Sequence, residues 1–278
     1  MSCIYKITED MSSYTATEKK LADYILQHRE ETTLSATKEL AAHAGVSPSA
    51  VVRFTQRLGY SGFVAFKVDL ASDSVDEIAD FDDILLEEDS ISDVVRKSKA
   101  LNTRLQEESY RLLNTNSLAK AVEAMQQCQN IYLYGISASG IVCMDLWEKL
   151  SRINRQTIYH QDFHDQLAAT SHIGPKDVAL AVSYSGKTHE VNAAMRYAKE
   201  QGAVTVAITQ FEKSPLTRFS DILLRIPATE REIRLGAIAS RNASLIVTDL
   251  IYMCLAKNDL EKTKEYLVKT KEAIQRLY

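Results

Sequence analysis

The sequence is short of several things, and each shortage removes a class of protein. Its four cysteines, Cys3, Cys128, Cys143 and Cys254, are scattered over 278 residues with neither a CxxC pair nor zinc-ligand spacing. They read as reduced thiols of a cytosolic protein, with no metal and no cofactor expected. No run approaches the roughly 20 apolar residues that a membrane span needs. The first residues, Met1-Ser2-Cys3-Ile4-Tyr5-Lys6, hold no apolar leader core, so the expectation is a cytoplasmic protein without a membrane partner. A basic excess is missing too. Lys and Arg number 33 against 37 Asp and Glu, a formal net charge of −4. That excludes a protein that coats nucleic acid by bulk charge, but it permits a local basic reading head.

What is present falls into two halves. With 45% hydrophobic residues, the chain can bury one large core or two ordinary ones. Residues 1–75 read as helices only, whereas residues 111–278 alternate β-rich runs with helical stretches. Between them, residues 76–110 read as an acidic helical connector. Residues 72–93 carry Asp73, Asp76, Glu77, Asp80, Asp82, Asp83, Glu87, Glu88, Asp89 and Asp93 and no basic residue. Val75, Ile78, Phe81, Ile84 and Leu85 recur there at helical spacing, which predicts a partly packed helix kept away from phosphate.

In the first half, Thr15-Ala16-Thr17-Glu18 fits a capping box ahead of Leu21, Tyr24, Ile25 and His28. A helix is predicted over 37–44. Gly45 can supply the positive φ of a tight turn, Ser47 is a good N-cap, and Pro48 sits at the first helical position. The following helix should run through Val51, Val52, Phe54 and Leu58 and end at Gly59. Leu40, Ala44, Val46, Val51 and Phe54 supply apolar contacts between the two helices, and small Ala41 allows close approach. This is the pattern a helix-turn-helix requires. Polar positions of the second helix hold Ser47, Ser49, Arg53, Gln56 and Arg57. From Val46 to Val68 the basic residues are Arg53, Arg57 and Lys67, and no acidic residue occurs. These six side chains, Ser47, Ser49, Arg53, Gln56, Arg57 and Lys67, are the candidate DNA contacts. The blander alternative is a helical hairpin whose polar face is merely solvated.

The stretch "ELAAHAGVSPSAVVRFTQRLGYSGFVAFK" resembles the helix-turn-helix domain of the RpiR family of bacterial sugar-metabolism regulators. The likeness is carried by Val-Val-Arg-Phe at 51–54, Leu-Gly-Tyr at 58–60 and the Gly62-Phe63…Phe66-Lys67 segment. Ala50 departs from it, since the family usually has Thr there; the loss of that hydroxyl bears on phosphate contact or operator preference.

In the second half, strands are predicted over 130–134, 156–159, 177–183, 204–209 and 221–226. The nearly unbroken apolar run of 177–183 predicts a strand buried on both faces. Such alternation implies a parallel sheet with right-handed crossovers, whose ligands bind beyond the carboxyl ends of the strands. Two of those ends stand out: Tyr134-Gly135-Ile136-Ser137-Ala138-Ser139-Gly140 and Ser183-Tyr184-Ser185-Gly186-Lys187-Thr188. Their hydroxyls, with backbone N–H groups freed at a helix start, can cradle an anion; simple capping of two helices is the alternative. The Ser-x-Ser-Gly-x-Thr loop and the Gly-x-x-x-Ser turn resemble the SIS (sugar isomerase) fold, the usual partner of the RpiR-type reader. The resemblance implies that Ser139, Ser183, Ser185 and Thr188 hold a phosphate; Ser137 and Gly186 complete the candidate ligand set. Ser137 stands where the family commonly has Gly, and so does Asn154, a mild change because Asn tolerates left-handed geometry.

The expected fold is therefore an all-α helix-turn-helix domain (1–75), the connector (76–110) and an α/β SIS domain (111–278) with a parallel sheet of about five strands and helices on both faces. His160 and His164 are spaced as a helical i, i+4 metal pair, yet structural histidines are the preferred reading. His189 and Glu190 offer an acid/base pair, though Glu190 serves equally to begin a helix. A polar band at 229–234 with Ser240 and Arg241 fits a sugar pocket or a subunit interface. Leu260, Thr263, Tyr266, Leu267, Thr270, Ile274 and Leu277 predict a terminal amphipathic helix for core or dimer packing. The function expected is a DNA-binding regulator of sugar-metabolism genes, a repressor relieved by a phosphorylated sugar. It should read double-stranded operator DNA as a homodimer or homotetramer and have no catalytic residues. A sugar-phosphate isomerase or lyase with a helical adaptor is the rival.

Overall fold

The computed structural model describes residues 3, 6–7, 11–74, 85–210, 213–228 and 236–276; for Ser12, Glu30 and residues 72–74 it describes the backbone alone. The first part of the connector (76–84), the polar band at 229–234 and Leu277 thus lie outside the described residues. The chain divides into two units, Met1–Ala79 and Asp80–Tyr278.

The first unit is helical. Helix α1 (Ala16–Gln27) begins at the predicted capping box: Thr15 Oγ1 accepts from the Glu18 amide while the Glu18 carboxylate accepts from Thr15 N. Helices α2 (Arg29–Leu34) and α3 (Thr37–His43) follow. Gly45 takes φ +65°, and α4 (Pro48–Arg57) starts on Ser47, whose hydroxyl accepts from Ala50 N. Gly59, at φ +87°, ends that helix, and α5 (Phe63–Ser74) completes the unit. Leu21, Ile25, Leu40, Ala41, Val51, Phe54, Phe66 and Leu70 form one core, joined from the N-terminal segment by Cys3 and Ile7. Tyr14 meets Phe54 edge to face at 5.3 Å, a geometry that adds to area burial.

The second unit opens with α6 (Ile91–Leu112) and α7 (Thr115–Gln127). Leu105 of α6 is part of this unit's core. Then come β1 (Ile131–Tyr134), α8 (Ala138–Arg152), β2 (Thr157–Ile158), α9 (Phe163–Thr170), β3 (Val178–Val182), α10 (His189–Glu200), β4 (Val204–Gln210), α11 (Pro215–Arg218), β5 (Ile222–Ile226), α12 (Ile238–Lys257) and α13 (Leu260–Gln275). The five strands are all parallel, in the order β2-β1-β3-β4-β5. Alternate residues divide between two cores, as a strand's two-residue period requires. Ile131, Leu133, Val178, Leu180, Val206 and Ile208 pack with α7, α8 and α12 on one face. Tyr132, Tyr134, Ala179, Ala181 and Ala207 pack with α10 and α11 on the other.

One expectation needs correction. Helix α12 is long and apolar enough, by length and composition, to cross a membrane. Its Ala243, Val247, Ile251 and Leu255 are buried in the sheet's core, and this burial accounts for its apolar character.

Candidate functional site

The strand order reverses between β1 and β3, which is where a parallel α/β sheet opens a crevice at its carboxyl edge. Register places Tyr134 beside Ala181, so the loops leaving β1 and β3 start side by side. These are the two loops singled out by the sequence.

In the first loop, Gly135 lets the chain fold back onto α8. A Cβ there would lie 2.7 Å from Cys143 Sγ and 2.8 Å from the Ser139 carbonyl oxygen. Cys143 is fully buried below, and burial pushes its thiol pKa up, which makes it packing rather than a nucleophile. Ser137, at φ +57° and ψ −126°, is the N-cap of α8 but makes no side-chain capping bond. Ser139 follows in the first turn, half-buried.

In the second loop, Ser183 is buried and its Oγ lies 3.3 Å from Thr188 Oγ1. Ser185 Oγ accepts from Lys187 N at 3.2 Å. Gly186 takes φ +61° and donates its N–H to the Ser183 carbonyl at 3.1 Å. A Cβ on Gly186 would fall 2.1 Å from Ser214 Oγ, because the segment before α11 leans on the loop and Leu216 N bonds the Gly186 carbonyl at 3.1 Å. Thr188 is the N-cap of α10 and, like Ser137, makes no side-chain capping bond. The structure thus brings Ser183, Ser185, Gly186 and Thr188 into one turn, with Ser137 and Ser139 on the neighbouring loop. Capping was the alternative use for these hydroxyls, and neither N-cap side chain makes that bond. Two helix N-termini, without side-chain caps, follow the neighbouring strands β1 and β3 at the switch point of the sheet, an arrangement suited to a bound anion.

The histidines are placed otherwise. His164 lies in the first turn of α9, where Asp162 caps it, while His160 precedes that helix. The two therefore do not share a helical face, and the i, i+4 spacing has no structural counterpart. His189 and Glu190 are exposed in the first turn of α10.

On the first unit, α4 buries Val51, Phe54 and Thr55 and exposes Ser49, Arg53 and Gln56. Those three recur at i, i+4 and i+7, which makes one stripe. Ser47 Oγ lies 3.0 Å from Ser49 Oγ at the helix start. Two of the predicted contacts are otherwise engaged. Arg57 Nη1 donates to both Glu18 carboxylate oxygens at 2.9 and 2.8 Å, its Nη2 donates to Ser13 Oγ at 2.9 Å, and its guanidinium lies over the Tyr14 ring. Lys67 Nζ donates to the Ser35 carbonyl at 2.9 Å and lies over the Phe63 ring. Both cations hold helices together within the unit.

Three residues that hydrogen-bond the two loops were not singled out by the sequence. Gln166 Nε2 donates to the Gly135 carbonyl at 3.2 Å and to the His160 carbonyl at 2.7 Å. Asn192 Nδ2 donates to the Gly186 carbonyl at 3.2 Å. Tyr159 Oη donates to the Gly140 carbonyl at 2.9 Å. A signal existed for the first: Phe163, Gln166 and Thr170 have the spacing of an inward helix face, so a Gln there occupies a core position.

Comparison with known proteins matches both halves. The family model of the rpiR-family helix-turn-helix domain matches residues 1–77, and that of the SIS domain matches residues 124–254. A protein of Caldanaerobacter subterraneus subsp. tengcongensis, named as an uncharacterized HTH-type transcriptional regulator, is 35% identical over 268 residues, covering 96% of this chain and 95% of the relative. A Bacillus subtilis protein with the same kind of name, YbbH, is 31% identical over 260 residues, covering 93% and 92%. Among solved structures, the Vibrio vulnificus NanR protein complexed with ManNAc-6P is similar over 100% of this chain and 99% of its own, with a TM-score of 0.63 and 27% identity. A putative sugar-phosphate isomerase from Listeria monocytogenes, at 19% identity and a TM-score of 0.58 over 66% of this chain and 98% of its own, shares the fold of the second unit.

Proposed function

Since this chain belongs to the rpiR family of helix-turn-helix regulators with a SIS domain, we propose that it is a transcriptional regulator whose operator binding is controlled by a phosphorylated sugar held between the loops at 135–139 and 183–188. The observation that carries this reading is the pair of uncapped helix starts, at Ser137 and Thr188, flanking the switch point of the sheet. Hydroxyls of Ser139, Ser183, Ser185 and Thr188, with the Gly186 backbone and Ser137, bind the phosphate. The ligand of the Vibrio vulnificus relative, ManNAc-6P, supports that chemical class.

DNA is read by the stripe Ser49, Arg53 and Gln56 together with Ser47, while Arg57 and Lys67 position the reading helix. The protein acts as a dimer or tetramer, so that two heads meet a pseudo-palindromic site. Exposed Ile141, Met144 and Trp147 on α8 and Val268 and Ile274 on α13 supply apolar surface for self-association. Its role is repression relieved by ligand, without turnover. The test is calorimetry of the full chain against hexose 6-phosphates. Micromolar binding with no product formed, abolished in Ser183→Ala/Ser185→Ala, supports it; turnover of a sugar phosphate without DNA binding supports the isomerase or lyase rival instead.

A further inference from the structure

Gln166 lies in α9 and is only 2% exposed. Its Nε2 donates to two backbone carbonyls at the carboxyl edge of the sheet, those of Gly135 and His160. A primary amide has two N–H bonds, so both are in use. Turning the amide over would set its carbonyl oxygen against two other carbonyl oxygens, so the neighbours fix which end is which. The remaining atom, Oε1, is buried with no hydrogen-bond partner, a condition that is destabilising unless something arrives to satisfy it. Two more buried side-chain atoms without a partner, Asn192 Oδ1 and Ser214 Oγ, belong to residues set against the second loop. Asn192 is tied to the Gly186 carbonyl, and Ser214 stands where a Gly186 Cβ would be. Buried polar atoms without a partner thus border each of the two loops that leave the neighbouring strands β1 and β3, as expected where a polar ligand is received.

We propose that Gln166 selects the sugar: its Oε1 accepts a hydrogen bond from a hydroxyl or amide N–H of the bound sugar phosphate, an inference that rests on the phosphate reading of the two loops. The ligand class narrows accordingly. The sugar presents a donor toward the β1–β2 side of the crevice, and an analogue with a carbonyl or carboxylate at that place is repelled by Oε1. A ligand lacking the donor leaves the buried oxygen unpaired, which is how sites of this kind discriminate.

The experiment measures dissociation constants of the full chain and of Gln166→Met for five probes by calorimetry. The probes are inorganic phosphate, glucose 6-phosphate, fructose 6-phosphate, N-acetylglucosamine 6-phosphate and N-acetylmannosamine 6-phosphate. The quantity of interest is the gain of the tightest sugar phosphate over inorganic phosphate. The expected result is a gain cut by about tenfold or more in Gln166→Met, with phosphate affinity itself little changed. If both affinities fall in proportion, Gln166 only clamps the loops and the proposal is overturned; an unchanged gain overturns it as well. Should no sugar phosphate surpass phosphate in the wild type, selection by Gln166 is refuted, while loss of phosphate binding in Ser183→Ala/Ser185→Ala still upholds the cradle. If phosphate does not bind at all, both readings fall. Should Gln166→Met fail to fold, a crystal structure of the wild type with the tightest probe decides. A sugar donor within hydrogen-bond distance of Oε1 supports the proposal, and its absence there overturns it.

Discussion

Ser137 sits at φ +57° with ψ −126°, a backbone region that a Cβ makes costly by about 1–3 kcal/mol. Replacing it with glycine relieves that strain but frees the unfolded chain by roughly 0.5–1 kcal/mol. Ser137→Gly should therefore raise stability by about 1 kcal/mol in urea unfolding; a loss of stability would show that the serine hydroxyl, not the backbone, dominates there. Gly186 is the reverse case. Its φ of +61° and the clash with Ser214 should make Gly186→Ala lower stability by about 1–3 kcal/mol and abolish sugar-phosphate binding in calorimetry. Arg57 and Arg53 separate structure from recognition. Arg57→Ala breaks a partly exposed pair with Glu18 and should cost about 0.2–1 kcal/mol. Arg53→Ala should leave stability unchanged and weaken operator binding. Desolvation pushes the Glu18 pKa up, but hydrogen bonds from Thr15 and Arg57 outweigh it and hold the pKa below its ordinary 4.5. The folded pKa is depressed, so the pair's contribution is present above the ordinary value and is lost as pH falls through the lowered one. Acid unfolding of Arg57→Ala should show a smaller loss of stability across that window than the wild type.

At the scale of elements, caps and periods do most of the specifying. Ser47 caps α4, and Ser47→Ala should cost about 1 kcal/mol and loosen the first turn of the reading helix. Far-ultraviolet circular dichroism during thermal unfolding checks this, with an unchanged midpoint arguing against the cap. These features were legible in the sequence because each is local. The Thr15 box, the Gly45 turn and the Gly59 stop depend on a few consecutive residues, and the strand bounds follow from runs whose composition differs sharply from their flanks. β2 is shorter than the predicted 156–159 because an edge strand with a single neighbour ends where its pairing with β1 ends, not where its apolar residues do. The partners of Arg57 were not legible. Glu18 lies 39 positions away, and nothing in a helix's own spacing announces a cross-helix pair. For the same reason the hydroxyls of the two loops could be named from the sequence, whereas the bond from Gln166 to the Gly135 carbonyl, 31 positions away, could not. The length and apolar character of α12 are masked in the sequence because its apolar residues are interrupted by Arg241, Asn242 and Asp249.

For the whole molecule, regulation requires that the sugar phosphate bind one state of the protein more tightly than another, since equal affinity moves no equilibrium. A coupling of about 1–3 kcal/mol corresponds to roughly 5–150-fold in operator affinity, and reciprocity demands that DNA change sugar affinity by the same factor. With a net charge of −4, bulk attraction to DNA is absent, and the salt dependence of binding should report the phosphate contacts of the helix-turn-helix unit alone. The most direct measurement is fluorescence anisotropy of the full chain on DNA from its own upstream region, titrated with the tightest hexose 6-phosphate. Salt-sensitive specific binding should weaken at least about fivefold on adding the sugar phosphate, and Ser183→Ala/Ser185→Ala should bind DNA equally well but ignore the sugar. Operator affinity indifferent to every sugar phosphate that the protein binds would contradict the account.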